Sequence, residues 1–348
     1  MNQPRTTSRC PAWRGTSASD WSLRVCFVLL TLPLLVGCAR SPDNAQAILR
    51  DDAFTMESAA AKLVGSFPQA TPVVPAVPPT VTAHRDLVFA SIGTRQLHLD
   101  IFEPVESARS PRPAILFIHG GGWSSGDRSM EIPLAARLAA RGFVTATVEY
   151  RLSPEARYPA AVRDLKAAVR WLRASADRFH IDTTRIGVCG GSAGGHLAAF
   201  LGATNGNPYY EEGGEKEEHS SDVQAVVDID GPLDLTRPEE SGKDVDPQRP
   251  SAGMRWIGFS FKERPDLWRE ASPLAHTSAQ TVPIAFINSS IERFHVGRDE
   301  MMEILKASNI YSEVHTIPNT PHPFWLFHPW FEETATHVEA FFARVLDN

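Results

Sequence analysis

A G-x-S-x-G motif at residues 190–194 constrains the fold of this chain more than any other feature of the sequence. It follows a strand-like run at 185–189 and precedes a helical run at 193–202. A serine at such a strand-to-helix turn has a strained backbone that exposes its hydroxyl, here that of Ser192. The flanking glycines remove the Cβ clashes that would block so tight a turn. The motif is short, and a random chain of this length contains it about one time in ten.

A second glycine-rich motif argues against a chance occurrence of the G-x-S-x-G motif. His119 is followed by three glycines and Trp123, directly after an apolar strand run at 114–118. Backbone N–H groups in such a loop can point into a cleft and stabilise the oxyanion of a tetrahedral intermediate. The alternative is a flexible or phosphate-binding loop, but neither nucleotide-binding glycine signature is present. Two loops that each follow a strand, in this order, predict a nucleophilic serine.

Strand and helix signals alternate from His84 to the end of the chain. The main strand candidates are 114–118, 144–148, 185–189, 223–229, 284–288 and 313–317. Helices are predicted at 130–141, from Pro159, at 193–202 and at 329–346. This alternation predicts an α/β fold with a mostly parallel central sheet covered by helices on both faces. Residues 236–272 interrupt the alternation and are predicted to form a small lid insertion over one end of the sheet.

These motifs resemble those of the α/β-hydrolase family. Within it, the chain is most similar to esterases with an H-G-G-G loop, namely the hormone-sensitive-lipase-like group and the bacterial acetyl and feruloyl esterases. The similar stretches are 119–123, 149–155, 158–161 with Asp164, 185–187 and 190–196, and the resemblance covers 84–348. It implies Ser192 as the nucleophile and the N–H groups of Gly121, Gly122 and Ala193 as the oxyanion hole. It also implies that His119 holds the glycine loop and that no cofactor takes part.

The resemblance places the catalytic base after the last strand of the sheet. His322 occupies that place, in the stretch 318–324. His328 is read as a surface or packing residue, and His295 and His315 as structural. We therefore predict His322 as the base that accepts the serine proton.

The acid that orients the base is where the chain departs from the family. After the seventh strand the family usually reads H-G-x-x-D, whereas residues 288–292 read Asn-Ser-Ser-Ile-Glu. Glu292 stands at the matching place, and Asp299 is the alternative. Asp299 also suits a helix start, where the macrodipole favours a carboxylate. Asp230 and Asp234, after the preceding strand, are weaker candidates because their sequence context is structural in this family.

The sequence next to His322 is dense in aromatic residues, at 324–331. These side chains either pack the last helix or form a stacking platform for a sugar ring. On the second interpretation Trp325, together with Trp123 of the glycine loop, is a substrate-binding residue. No metal site is predicted, because neither H-E-x-x-H nor paired cysteine spacing occurs.

The N-terminal segment predicts export. Four arginines precede an apolar run at 25–36, which is too short for a transmembrane helix and suits a signal peptide over residues 1–37. Residues 35–38 read Leu-Val-Gly-Cys and resemble a bacterial lipobox, in which Cys38 becomes the lipidated N-terminus. The alternative is an ordinary secretory signal with an incidental Cys38. Residues 38–81 are predicted to be a Pro-rich tether and 82–348 the catalytic domain.

Composition limits the remaining function classes. The net charge of −7 over 348 residues argues against nucleic-acid binding, which needs clustered basic side chains. We therefore expect an exported serine esterase of the cell envelope, anchored to the membrane through Cys38 and facing the periplasm or the cell surface. Its expected substrates are short acyl esters, such as acetyl or feruloyl groups on polysaccharide. The alternatives are an amidase, arylformamidase or peptidase of the same fold, and a non-catalytic binding protein.

Overall fold

The structure is a computed structural model that describes residues 49–106, 110–211, 216–242 and 250–347. The predicted signal peptide and Cys38 lie outside the described residues. The strands are β1 (Thr71–Pro72), β2 (Val81–Ile92), β3 (Arg95–Pro104), β4 (Arg112–Ile118), β5 (Val144–Val148), β6 (Ile181–Gly191), β7 (Ala225–Ile229), β8 (Ile284–Asn288), β9 (Ser312–Thr316) and β10 (Phe327–His328). The α-helices are α1 (Met56–Leu63), α2 (Ile132–Ala139), α3 (Ala160–Ala174), α4 (Ala176–Phe179), α5 (Ala193–Ala203), α6 (Pro238–Ser241), α7 (Ala252–Ile257), α8 (Pro265–Glu270), α9 (Arg298–Ala307) and α10 (Phe331–Leu346).

Eight strands form one sheet in the order β2-β3-β5-β4-β6-β7-β8-β9. Strands β2, β3 and β5 pair antiparallel, and every pair from β5–β4 to β8–β9 is parallel. The predicted fold class, a mostly parallel sheet with helices on both faces, is confirmed. Because β6, β7 and β8 run parallel and side by side, their carboxyl ends meet at one edge, and the loops that follow them share that edge.

Each central strand supplies side chains to both faces of the sheet. In β4, Leu116 and Ile118 belong to the core packed by α3 and α5, whereas Ile115 and Phe117 belong to the core packed by α2 and α10. This two-residue alternation follows from strand geometry. Both faces are covered by helices, so β4 reads as a continuous apolar run rather than an alternating one.

The interval between β7 and β8 contains α6, α7 and α8, where the lid insertion was predicted. Helix α7 lies against the glycine loop, because a Cβ placed on Gly122 would be 3.3 Å from the Cβ of Ala252. The insertion therefore contacts the loop that was predicted to stabilise the oxyanion.

The segment predicted to be a tether contacts the domain at several points in its described part, although many of its side chains are exposed. Helix α1 buries Ala59 and Leu63, and β1 pairs antiparallel with β10, Thr71 opposite His328. The N–H of Asp51 donates to the carbonyl of Ser124 at 2.8 Å. The prolines exclude regular structure over much of this segment, but they do not prevent side-chain burial or edge pairing. The predicted tether is thus corrected for residues 49–81, which form part of the folded domain.

None of the helices in these described ranges has the length and hydropathy needed to cross a membrane.

Candidate active site

The strand-to-helix turn after β6 holds Ser192 in the predicted strained conformation. Ser192 has φ 57° and ψ −121°, a backbone region that residues with a Cβ rarely adopt. Its N–H donates to the carbonyl of Ile229 at the end of β7, at 2.8 Å. A Cβ on Gly194 would overlap the carbonyl oxygen of Ile118 in β4, so glycine is required there. The neighbouring strands therefore hold the serine hydroxyl at the carboxyl edge of the sheet.

The base lies in the loop after β9, as predicted, and contacts the serine. The Ser192 hydroxyl donates to Nε2 of His322, with 2.8 Å between the two atoms. The His322 side chain is mostly buried, with 22% of it exposed, so solvent and substrate can reach the pair from one side. Burial lowers the pKa of His322 below its ordinary value, and its hydrogen bond with a carboxylate opposes that shift. A neutral imidazole is the form that can accept a proton from serine.

The carboxylate that contacts this base belongs to Asp230, the residue after β7. Nδ1–H of His322 donates to Oδ2 of Asp230 at 3.0 Å. Oδ1 of the same carboxylate accepts the N–H of Ser289, after β8, at 2.7 Å. The Asp230 side chain is fully buried, and its backbone has φ 52°. The carboxylate therefore fixes the tautomer in which Nε2 faces the serine.

The predicted acids do not occupy this place, and the prediction is corrected. Glu292 is exposed, at the start of a 3₁₀ turn spanning Glu292–His295. Asp299 is exposed in the first turn of α9 and accepts from Arg298, which is the helix-start interpretation considered above. Asp234, the other weak candidate, accepts instead from Thr236 and Arg237. Among the four carboxylates that were considered, Asp230 is the one hydrogen-bonded to His322.

The error has a simple physical origin. Strands β7 and β8 are parallel neighbours, and neighbouring strands lie about 4.8 Å apart. A carboxylate after either strand can therefore reach the same histidine. The available signal was an aspartate directly after the apolar run of β7, followed by Gly231. The resemblance to the family favours a carboxylate after the neighbouring strand, β8, instead.

The glycine loop lies beside the nucleophile. A Cβ on Gly120 would be 3.3 Å from the Cβ of Ser192, so the two loops touch. Within the described part of the chain, the N–H groups of Gly121, Gly122 and Ala193 donate to no other backbone group. These are the three donors predicted for the oxyanion hole, and they remain available to a ligand.

His119 supports this loop from within the fold. One ring nitrogen, Nδ1, lies 2.8 Å from the carbonyl of Gly120, and the ring stacks on Tyr150 at 4.5 Å. The Tyr150 hydroxyl donates to the His119 carbonyl. Burial lowers the pKa of His119, so the ring is held neutral. This packing matches the supporting role that the family resemblance implied.

The two tryptophans predicted to bind substrate are packing residues. Trp123 is 3% exposed, stacks on Trp256 at 5.0 Å and donates to His196. Trp325 is 2% exposed and lies so close to Gly191 that a Cβ there would overlap its indole. The aromatic run at 324–331 is mostly buried in the core beside α10. A sugar-stacking platform at Trp123 and Trp325 is thus not present, because neither ring has a free face.

A carboxylic acid that sequence analysis did not single out lies buried beneath the site. Glu131 is 1% exposed, and its neighbours include Tyr150 and Cys189 of the nucleophile strand. Burial raises the pKa of Glu131 to about 8. The group is therefore protonated at neutral pH and adds no charge beneath Ser192.

Over the same described ranges, no group of three or more His, Cys, Asp or Glu side chains is arranged to hold a metal ion.

A serine, a histidine and a buried aspartate linked in series at the carboxyl edge of this sheet define a serine hydrolase of the α/β-hydrolase class. Comparison with known proteins agrees. A family model described as BD-FAE matches residues 99–304. The chain is 32% identical over 300 residues to esterase LipC of Mycobacterium tuberculosis, an alignment that covers 80% of this chain and 69% of LipC.

Solved structures show the same fold. A truncated form of a carbohydrate esterase from gut microbiota superposes with a TM-score of 0.66 at 24% identity, covering 80% of this chain and 99% of the other. The thermophilic esterase Est2 of Thermogutta terrifontis, with butyrate bound, gives a TM-score of 0.62 at 25% identity, covering 77% and 95%. The chain belongs to the BD-FAE family of α/β-hydrolase esterases, and it is a serine esterase.

Proposed function

We propose that this esterase cleaves short acyl esters with Ser192 as nucleophile, His322 as general base and Asp230 as the acid that orients the base. The observation that carries the proposal is the continuous hydrogen-bonded series from the Ser192 hydroxyl through His322 to Asp230. The open N–H groups of Gly121, Gly122 and Ala193 beside Ser192 complete the site.

In the acylation step, Oγ of Ser192 attacks the ester carbonyl carbon while its proton passes to Nε2 of His322. The carbonyl oxygen becomes an oxyanion that the three backbone N–H groups stabilise. The imidazolium, stabilised by Asp230, then donates its proton to the departing alcohol oxygen as the C–O bond breaks. The products are the free alcohol and an ester of Ser192.

In the deacylation step, His322 removes a proton from water, and the resulting hydroxide adds to the acyl carbonyl. The second oxyanion collapses, the bond to Ser192 Oγ breaks, and His322 returns its proton to that oxygen. The carboxylic acid product leaves, and the hydrolysis uses no cofactor. These two steps need the same three side chains in the same tautomer, which the Asp230 contact supplies.

We further propose that the acyl group is small and that the alcohol is a sugar hydroxyl of an acetylated or feruloylated polysaccharide. Est2, which has butyrate bound, supports a short acyl group. Ser192 and His322 are both partly exposed, so a bulky alcohol can remain outside the protein during attack. The predicted export of the chain supports an extracellular polymer as substrate.

A substrate panel with an active-site control tests this proposal. p-Nitrophenyl acetate, butyrate and octanoate, an amide, a formamide, acetylated xylan and methyl ferulate are compared with the wild type and with Ser192→Ala. We expect the fastest turnover on acetate or butyrate, and a loss of about 10⁶ in kcat for Ser192→Ala with unchanged circular dichroism. A fluorophosphonate probe should label only the wild type. Faster amide or formamide turnover, or no labelling, would contradict the esterase assignment.

We also propose that the protein is a lipoprotein of the bacterial cell envelope, anchored through Cys38. The apolar run at 25–36 and the Leu-Val-Gly-Cys sequence at 35–38 support this. Cys38→Ala should abolish incorporation of a labelled fatty acid and move the protein from the detergent phase to the aqueous phase. Cys189→Ala is the matched control, because Cys189 is buried and free and should leave partitioning unchanged. Identical partitioning of wild type and Cys38→Ala, with no label on either, would exclude the anchor.

A further inference from the structure

A phenyl ring lies flat against the base. The ring centroids of Phe294 and His322 are 3.4 Å apart, and the two planes differ by 8°. Trp325 meets the same imidazole edge-on, at 5.4 Å and 79°. Phe294 belongs to the 3₁₀ turn Glu292–His295, the segment in which the sequence analysis placed the acid. The loop after β8 thus supplies an aromatic face to the base, while the carboxylate comes from β7.

Phe294 is held in this position by the lid insertion. The guanidinium carbon of Arg293 lies over the Phe294 ring, 4.9 Å from its centroid. Nε and Nη2 of Arg293 both donate to the carboxylate of Glu240 in α6, at 2.6 and 3.2 Å. The Glu240 side chain is only 5% exposed, so this is a partly buried bidentate pair rather than a loose surface contact. Such pairs restrict orientation as well as contributing energy.

The stacked ring affects the two protonation states of His322 differently. The face of an aromatic ring carries negative electrostatic potential and attracts a cation placed over it. His322 is neutral in the resting site and becomes an imidazolium in each transition state, so the attraction is greatest where charge develops. The flat contact also restricts rotation of the imidazole and keeps Nε2 directed at Ser192.

We propose that Phe294 is a positioning residue for the base, which stacks on His322, stabilises its imidazolium form and is itself held by the Arg293–Glu240 pair. The proposal rests on the function proposed above for Ser192 and His322. The charged groups that act on His322 are Asp230 from β7, Arg293 from the 3₁₀ turn and Glu240 from α6. Of these groups, only Arg293 disfavours the imidazolium, and its pairing with Glu240 offsets that effect.

The test compares Phe294→Leu, which keeps an apolar side chain but removes the flat face, with Phe294→Tyr, which retains it. We expect Phe294→Leu to lower kcat about tenfold with KM nearly unchanged, the effect of losing one cation–π contact. The acid limb of its kcat/KM profile should move to lower pH, because the imidazolium loses a stabilising neighbour. Phe294→Tyr should restore both the rate and the profile.

Tyr209→Leu is the matched control. Tyr209 is an exposed ring that also lies beneath an arginine, Arg163, at 5.5 Å, and it packs edge-on against Tyr210 rather than against the triad. It should keep the wild-type rate and profile. Should Phe294→Leu fold poorly, Phe294→Met removes the same flat face and carries the same expectation.

Three outcomes would overturn the proposal: an unchanged pH profile in the Leu or Met variant, equal impairment of Phe294→Tyr, or a change confined to KM. A KM effect alone would mean that the ring contacts substrate instead of the base. Loss of the proposed function is recognised separately. It would show as full activity of Ser192→Ala or as no fluorophosphonate labelling of the wild type, whatever the Phe294 variants do.

Discussion

Asp230 and His322 lie 92 positions apart in the chain, and a 3.0 Å hydrogen bond joins Oδ2 of the first to Nδ1 of the second. Asp230 follows β7, the strand next to the nucleophile strand β6 in the sheet. The second carboxylate oxygen is held by the Ser289 N–H, so the side chain has little freedom to turn away. The carboxylate of this site is therefore held between the ends of β7 and β8, although Asp230 itself directly follows β7.

The first prediction concerns this acid. Asp230→Asn should lower kcat by about 10⁴, because an amide cannot hold the tautomer that presents Nε2 to Ser192. Glu292→Gln and Asp299→Asn are matched controls, since both carboxylates are exposed. They should retain nearly wild-type kcat on the same p-nitrophenyl ester. If Glu292→Gln lost most of its kcat while Asp230→Asn kept nearly wild-type kcat, the acid would be Glu292 and the present assignment would be wrong.

The pH dependence of the reaction follows from the environment of His322. Burial disfavours the imidazolium and lowers the pKa of His322 below the ordinary value of 6.5. The base therefore remains neutral and competent until the pH falls through that lowered pKa. We expect the acid limb of kcat/KM to have its midpoint below pH 6.5. A profile measured in constant-ionic-strength buffers checks this, and a midpoint above that value would be inconsistent with the buried site.

Glu131 predicts a pH dependence of stability. Its pKa is about 8 in the folded protein against 4.5 for an ordinary glutamate, so the folded state keeps a proton that the unfolded chain releases. The stabilisation is fully present below about pH 4.5 and is lost as the pH rises through about 8. Glu131→Gln removes this titration while keeping a neutral side chain of similar shape. Its free energy of unfolding in urea should therefore fall less steeply than that of the wild type over this range.

Parallel slopes for the two proteins would show that Glu131 is not protonated in the fold. Glu332→Gln, an exposed carboxylate in the first turn of α10, is the control and should follow the wild type.

The docked N-terminal segment is tested by two neighbouring residues. Leu63 is 9% exposed at the end of α1, whereas Val64 is 70% exposed. Leu63→Ala should lower the free energy of unfolding by about 2 kcal/mol, because it leaves an unfilled space in the core. Val64→Ala should change it by less than about 0.5 kcal/mol. Equal, small effects in urea denaturation would mean that the segment is a free tether after all.

Local pattern was sufficient for much of the fold. The predicted strands 144–148 and 284–288 have the observed bounds of β5 and β8, because short apolar runs between turn signals leave little choice of register. The prediction of a tether was wrong for residues 49–81 because it, too, rested on local pattern. Its prolines report on backbone regularity, whereas its packing depends on where Leu63 and β1 meet the rest of the domain.

The sequence by itself determined the nucleophile turn, the glycine loop and the position of the base, because each is a local motif with a required strand or helix beside it. Only the tertiary structure showed which carboxylate contacts the base, that Trp123 and Trp325 are buried, and that the Phe294 ring stacks on His322. These depend on which chain segments meet at the carboxyl edge of the sheet. Two adjacent parallel strands end side by side there, so a carboxylate after either strand could reach His322. In the folded chain the Asp230 carboxylate contacts His322 and accepts the Ser289 N–H, whereas Glu292 is exposed to solvent.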